Sequence, residues 1–367
     1  MPYAHITGWG MAVPEPIMTN DDLSKIVDTN DKWIRERTGI GQRHIAKDTD
    51  FPSTLGVEAS IKALKIANVR PTDIDLIICT SSSPEYIFPA TACLIQDQLG
   101  ATKAGAFDLL AACTGFIFAM NMAAQAIRSG SIKTALVVGS ETLSRFINWK
   151  DRGTCILFGD GAGAFVLQAS ERPGGVLSAV MHSDGSGGDS LSLPGGGSRH
   201  PATEATVHEG KHYVQMDGKE VFRFATRVMA SATMEALDAA GLTVEQTQWI
   251  IPHQANIRII EAAARGLKLP MDRFIVNIEK YGNTSTASIP IAMVEALEKG
   301  QIKNGDKLVM VGFGGGLTWG ALAAEWTGPL PSKGHVYPEQ YRQLGRLRSL
   351  VRRAIRFIEG LLYRREL

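Results

Sequence analysis

Short apolar runs, each entered through a polar link from a helical stretch, recur along this chain and predict strands that alternate with helices. Ala67 to Ser81 (ANVRPTDIDLIICTS) and Ala240 to Gln254 (AGLTVEQTQWIIPHQ) both read as a helix end, a short polar link and an apolar strand. A second pair sets Gly130-Ser-Ile-Lys133 before the strand Ala135 to Gly139, and Gly300-Gln-Ile-Lys303 before Lys307 to Gly312. Two echoes at nearly one offset predict a duplicated fold. The halves are expected at 1–172 and 173–327, each a parallel or mixed sheet layered with helices. Further runs at Ala104 to Leu110 and Phe274 to Ile278 read as strands.

Ligands collect at the carboxyl ends of strands in such folds. Three residues fall at these ends: Cys113 in Asp108-Leu-Leu-Ala-Ala-Cys-Thr-Gly115, His253 in Ile250-Ile-Pro-His-Gln-Ala-Asn256, and Asn283 in Tyr281-Gly-Asn-Thr-Ser285. The spacing from Cys113 to Gly130 equals that from Asn283 to Gly300, so both residues are expected at the start of equivalent helices. A helix N-terminus presents unpaired N–H groups, which is expected to lower the pKa of the Cys113 thiol. The small neighbours Ala111, Ala112, Thr114 and Gly115 leave room for a carbonyl substrate, and FIFAMNMAAQAI after them reads as a buried helix. Taken singly, each residue has a bland reading: a small buried hydrophobe for the cysteine, a satisfied structural histidine, a turn or cap for the asparagine. Their predicted convergence is what gives them chemistry, as nucleophile, proton partner and amide donor.

A net charge of +1 over 367 residues gives no whole-molecule case for nucleic acid or membrane binding. No apolar run approaches the ~18 residues of a spanning helix, and Met1 to Pro16 lacks a basic leader, so a cytoplasmic address is expected. The four cysteines (Cys79, Cys93, Cys113, Cys155) show no CxxC or zinc-like spacing, and reduced thiols are expected. Ser186 to Arg199 (SGGDSLSLPGGGSR) lacks a Walker-type Gly-Lys-Ser/Thr and reads as a connection between the halves. Phe313-Gly-Gly-Gly-Leu-Thr-Trp-Gly320 differs, since it follows an apolar strand directly and lets backbone approach a reacting group.

From about Ile6 to Trp326 the sequence resembles a β-ketoacyl-acyl carrier protein synthase III, one of the thiolase-like condensing enzymes. The motifs are Asp31-Lys-Trp-Ile-Arg-Glu-Arg-Thr-Gly-Ile40, Ala111-Ala-Cys-Thr-Gly115, Phe158-Gly-Asp-Gly-Ala-Gly163, Pro252-His-Gln-Ala-Asn256, Gly282-Asn-Thr-Ser285 and the Phe313 to Gly320 segment. Asn283 discriminates, because thiolases and elongating synthases would call for Cys or His there. The resemblance implies a five-layer αβαβα fold, no cofactor, and a homodimer. It implies ping-pong decarboxylative condensation: acyl-CoA loads Cys113, the N–H groups of Cys113 and Gly315 hold the oxyanion, and His253 with Asn283 stabilises the enolate formed from malonyl-acyl carrier protein. Trp33, Arg37, Thr38, Arg152, Phe222, Asn256 and Arg258 match the family's CoA-binding positions. Arg223, Arg258 and Arg265 match its carrier-protein patch, with Gly266 where another base often stands, and Phe88 corresponds to the residue inserted across the dimer interface to line the partner's acyl pocket. Two other functions use the same residues differently, a specialised acyltransferase with another acceptor and a non-catalytic carrier-protein scaffold.

Beyond Trp326 the family pattern stops, and Gly328-Pro-Leu-Pro-Ser-Lys-Gly334 reads as a linker. Leu344, Leu347, Val351, Ile355, Ile358 and Leu362 then recur at helical spacing with arginines largely on other faces. Residues 333–367 hold nine Lys or Arg against three Glu, which leaves the remainder at about −5. An amphipathic basic helix is expected here, packed on the body, self-associated, laid on an anionic membrane or recruiting an acidic carrier protein.

Overall fold

The computed structural model describes residues 1–332 and 334–363, with side chains through Gly360. One five-stranded sheet runs in the order β1 (Tyr3–Ala12), β5 (Gly161–Ser170), β4 (Thr134–Glu141), β2 (Leu76–Thr80), β3 (Gly105–Asp108). The second has the order β6 (Gly175–Ser183), β9 (Thr318–Glu325), β8 (Lys307–Gly314), β7 (Trp249–Pro252). Pairing repeats as well: β4 and β8 lie antiparallel to β5 and β9 on one side and parallel to β2 and β7 on the other. The step along the chain from Leu76 to Trp249 equals that from Thr134 to Lys307, so the strands keep one offset. The second sequence echo fell slightly short of it because the turn from Gly300 to Lys307 is longer than that from Gly130 to Thr134.

Helices α2 (Pro52–Ala67) and α3 (Thr91–Leu99) cover the outer face of the first sheet, while α5 (Gly218–Ala240) and α6 (Ile257–Leu267) cover the second. Between the sheets lie α4 (Gly115–Arg128) and α7 (Ser288–Glu298). This is a five-layer duplicated fold of the thiolase-like kind. A central helix touches protein on every side, which is why both α4 and α7 are apolar almost all round. Phe116, Ile117 and Met120 of α4, Ile289 and Met293 of α7, and Phe165, Ile251 and Met310 of the strands form the core there. Strand β4 is buried throughout, as expected for a central strand with both faces covered, so it reads as a continuous apolar run.

Two expectations change. Phe274 to Ile278 is no strand: Phe274 makes one parallel bridge to Ile250, and the chain then leaves the sheet edge. Side-chain anchors take over from the ladder there, since the Asn277 backbone N–H donates to Gln254 Oε1 (3.0 Å) and its amide donates to Glu295 (2.9 Å). Ser186 to Arg199 does not connect the halves but follows β6, inside the second one.

The C-terminal helix α8 (Pro338–Tyr363) crosses the end of α3. A Cβ on Gly345 would sit 2.9 Å from the Gly100 Cα, so only glycine lets the two backbones meet. The Ser349 hydroxyl donates to Asp97, and Asn68 holds the linker through Ser332 (2.9 Å), Gly334 (3.1 Å) and the Val336 N–H (2.6 Å). Lys333, the Leu362 side chain and Arg364, Arg365 and Glu366 lie outside the described residues. Gly345→Leu is expected to push α8 off α3, with limited proteolysis cutting the 328–337 linker at least several-fold faster; an unchanged rate would show that the contact does not hold the helix.

Candidate active site

The chain leaves β3 at Asp108, whose carboxylate accepts from the Thr91 and Ala92 N–H groups at the start of α3 (2.7 and 2.8 Å). It then turns through Ala112, held at φ +45°, into a short 3-10 turn (Ala112–Thr114) that runs directly into α4. Thr114 ties this turn down: its hydroxyl donates to the Ala111 carbonyl (2.7 Å) and lies 2.8 Å from the Thr318 hydroxyl. Cys113 is 6% exposed. The expected fall in its pKa is not what burial produces: loss of water pushes the thiol up to about 12, with the Ser285 hydroxyl the main opposing influence. Dehydration dominates, and Cys113 rests as a thiol.

His253 ends β7, where its N–H donates to the Val311 carbonyl (2.8 Å) and its ring meets the edge of Phe313 at 5.3 Å between centroids. It is 1% exposed, and burial lowers its pKa to about 3. The imidazole is therefore neutral at physiological pH. Its Nδ1 lies 2.6 Å from Ser288 Oγ, the first residue of α7. Ser288 Oγ also accepts from the Gln254 N–H (3.3 Å), and Nδ1 is the one acceptor its hydroxyl hydrogen finds among the described residues; with that hydrogen on Nδ1 the ring proton sits on Nε2. Nε2 has no partner among the described residues and is a free donor.

Asn283 follows Gly282, which turns the chain at φ +64°. Its backbone is clamped on both sides: the N–H donates to Leu157 O (2.9 Å) and the carbonyl accepts from the Gly159 N–H (3.0 Å). Its Oδ1 accepts from the Ser285 N–H (2.8 Å), which aims the amide and leaves Nδ2 without a partner among the described residues. The strap 283–288 thus joins all three segments: Asn283 itself, Ser285 at the Cys113 thiol, Thr286 bonded to Thr80 (2.7 Å), and Ser288 at His253. The end of β8 closes the site from the other side. A Cβ on Gly312 would lie 3.5 Å from the His253 Cβ, and one on Gly314 would strike the Cys113 nitrogen at 2.7 Å. The Gly315 N–H is likewise taken by no carbonyl among the described residues.

Three further groups matter that sequence reasoning missed. Ser288 looked like any small residue in a helical first turn. Glu141 is fully buried, held by Ser81, Ser83 and the Ser82 N–H, and it raises the Cys113 pKa by its charge; an acid closing the apolar strand TALVVGSE was a readable signal. Of two residues quoted only as part of a motif, Phe158 bridges Asn283, and the buried Asp160 accepts from the Ser144 and Ala46 N–H groups.

Outside this centre, Trp33 on α1 (Asp31–Thr38) lies between two guanidinium groups, Arg37 at 5.5 Å and Arg152 at 4.9 Å from its ring centroid. Asn256 joins that cluster by donating to the Arg37 carbonyl (3.0 Å), and Arg258 lies over Phe222 at 5.4 Å. Thr38 is different: it is buried, its hydroxyl donates to Ile34 O (2.7 Å) and accepts from the Ile40 N–H (3.0 Å), and it serves the helix end. Arg223 on α5 and Arg265 on α6 are exposed. Gly266 lacks a base because a Cβ there would meet the Ala230 Cβ at 2.9 Å, where α6 packs on α5. Phe88 stands out on an exposed loop with Tyr86 and Ile87. Among the described residues no three His, Cys, Asp or Glu side chains gather as a metal site.

Family profiles described as 3-oxoacyl-[acyl-carrier-protein (ACP)] synthase III and as the C terminal of that enzyme match residues 107–185 and 237–326. The β-ketoacyl-[acyl-carrier-protein] synthase III of Roseiflexus sp. is 49% identical over 325 residues, 89% of this chain and 99% of that protein. The chain belongs to the synthase III family. The enzyme of the same name from Desulfitobacterium hafniense (strain Y51) is 51% identical over 88% of this chain and 97% of its own. The crystal structure of 3-oxoacyl-[acyl-carrier-protein] synthase III from Aquifex aeolicus shares 45% identity with a TM-score of 0.81, covering 88% of this chain and all of that one. The family match stops at residue 326, short of α8.

Because burial lifts the Cys113 pKa, its thiolate fraction is expected to rise about tenfold per pH unit, with no plateau below pH 9. Inactivation by iodoacetamide, followed between about pH 6 and 9, checks this; a plateau near neutrality contradicts it, and labelling of exposed Cys93 serves as the internal reference. Ser288→Ala is expected to release the imidazole into a mixture of tautomers, read from the ring ¹⁵N shifts of His253, and to slow any step that needs the Nε2 proton.

Proposed function

We propose that this synthase III-type acyltransferase starts fatty acid chains by joining an acyl group, loaded on Cys113, to a malonyl unit carried on acyl carrier protein. The Cys113 sulfur attacks the acyl-CoA thioester; its proton goes to the departing CoA thiol, and the N–H groups of Cys113 and Gly315 receive the carbonyl oxygen as it becomes an oxyanion. The observation that carries the reading is the pair of free donors, His253 Nε2 and Asn283 Nδ2, in segments that the 283–288 strap holds against the thiol. Both would donate to the malonyl thioester oxygen. Loss of CO₂ then leaves an enolate, whose carbon attacks the acyl-Cys113 carbonyl and expels the sulfur, which regains a proton from solvent. A neutral imidazole suits this role, since its weakly acidic Nε2–H holds the enolate oxygen by a hydrogen bond without giving up the proton to it.

Trp33 between Arg37 and Arg152 supports an adenine stack flanked by phosphate-binding cations, continued through Asn256, Phe222 and Arg258 toward the site, with Thr38 shaping the wall from within. Arg223, Arg258 and Arg265 would receive an acidic carrier protein. The halves 1–172 and 173–327 would form one subunit of a cytoplasmic homodimer without a resident cofactor, in which the exposed Phe88 reaches the partner's acyl pocket. A scaffold would need neither a dry thiol nor paired donors, so the site supports catalysis.

His253→Ala and Asn283→Ala are expected to keep acyl loading, seen as an intact-mass increase with acyl-CoA, while condensation with malonyl-acyl carrier protein falls by ~10² to 10³. Cys113→Ala should lose loading altogether. A His253→Ala protein that condenses at the wild-type rate would overturn the assignment.

A further inference from the structure

Helix α8 is mounted inside out. Tyr341, Gly345 and Ser349 face the body, while Leu344, Leu347, Leu350, Val351, Ile355, Phe357 and Ile358 on the opposite side are 49–68% exposed. At 100° per residue these seven fall within an arc of about 160°. A surface helix ordinarily turns such a stripe inward. Arg346 and Arg348 border the stripe, one on each side, and Arg352, Arg353 and Arg356 complete the polar face; residues 342–360 hold six arginines against the single acid Glu359. Among the described residues no helix is long and apolar enough to cross a membrane.

We propose that this face of α8 lies flat on a bilayer surface that carries anionic lipid, with the body held above it by the Gly345–Gly100 contact. The stripe is convex and about 21 Å long over residues 344–358, which suits a planar apolar boundary rather than a pocket. The bordering arginines can lay their methylene stems along it and lift their guanidinium groups into the headgroups. Charge decides between the bilayer and a second copy of the chain. Pairing two such helices through their stripes would set arginine borders against arginine borders, with only Glu339 and Glu359 in each helix against its six arginines, and like charges at flanking positions oppose association. An anionic surface instead gains from each of them, about fivefold per arginine. The segment lies beyond the residues matched to the synthase III family, so the surface belongs to this chain's extension and does not depend on the reaction assigned to the site.

Flotation of the full-length chain with phosphatidylcholine vesicles, with or without roughly a third phosphatidylglycerol, tests the proposal. Binding is expected with the anionic vesicles and to weaken as salt rises. Leu347→Asp/Val351→Asp/Ile358→Asp should reduce it by at least ~1,000-fold, at about tenfold or more for each buried aliphatic side chain replaced, while condensation of soluble substrates is unchanged and reports an intact body. Arg346→Glu/Arg348→Glu should abolish the preference for anionic lipid. Equal flotation with both vesicle types, or retention by the triple aspartate variant, overturns the proposal. So does failure of the full chain to bind vesicles while the aspartate variant loses a larger oligomer or a complex with acidic carrier protein, since the stripe would then serve that contact.

Discussion

The hydrogen bond between the buried His253 ring and the Ser288 hydroxyl is the contact through which the rest of the site acquires its chemistry. A carboxylate in that place would favour the imidazolium and make the ring a base. A serine cannot do so, and burial acts unopposed to hold the ring neutral. The same dehydration holds Cys113 as a thiol. Both functional groups therefore rest uncharged. In the proposed reaction, donors already aimed and already stripped of water would meet the developing oxyanion or enolate with little reorganisation, which is where electrostatic stabilisation has most effect. Glu141 is the nearby acid: its serine and backbone donors favour its carboxylate against burial, and its charge opposes thiolate formation at Cys113.

Duplication explains how such a site can be assembled from distant residues. Cys113 and Asn283 are as far apart along the chain as Gly130 and Gly300, and so are Ala112 and Gly282, both of which turn the chain with positive φ before a central helix. Equivalent turns in the two halves face each other across the paired helices α4 and α7. The halves then diverge where their tasks differ. The first keeps an edge strand before its turn, with Asp108 capping α3. The second gives up that strand for side-chain anchors at Asn277 and main-chain clamps at Leu157 and Gly159, which fix the asparagine amide rather than extend the sheet.

Much of this was legible in the chain itself. The apolar runs of β2, β4, β7 and β8 are long enough and cleanly bounded, and their shared offset revealed the repeat. The Phe274 to Ile278 run misled because apolar composition reports burial, and burial alone does not make a ladder. The sign of the Cys113 shift was also out of reach, since a helix terminus is visible in sequence but the depth of the site is not. Ser288 was invisible for a related reason: its importance lies in which distant side chain it meets across the fold. Thr38, matched to a binding position, turns inward because a hydroxyl at the end of α1 finds the Ile34 carbonyl before it finds solvent.

The terminal helix shows the limit of periodicity most clearly. A period near 3.6 residues establishes that α8 has an apolar stripe, yet it is silent on which face meets the body, and the small side won. Gly345 permits a backbone approach that no larger residue allows, but the polar contacts that accompany it, Ser349 and the 4.0 Å pair of Arg353 with Asp97, lie at the surface, where such ion pairs are worth ~0–1 kcal/mol. Seven large apolar side chains in water represent a considerably larger unrealised gain. The docking seen here therefore orients α8 more than it satisfies it, and the apolar face retains most of the helix's capacity to bind.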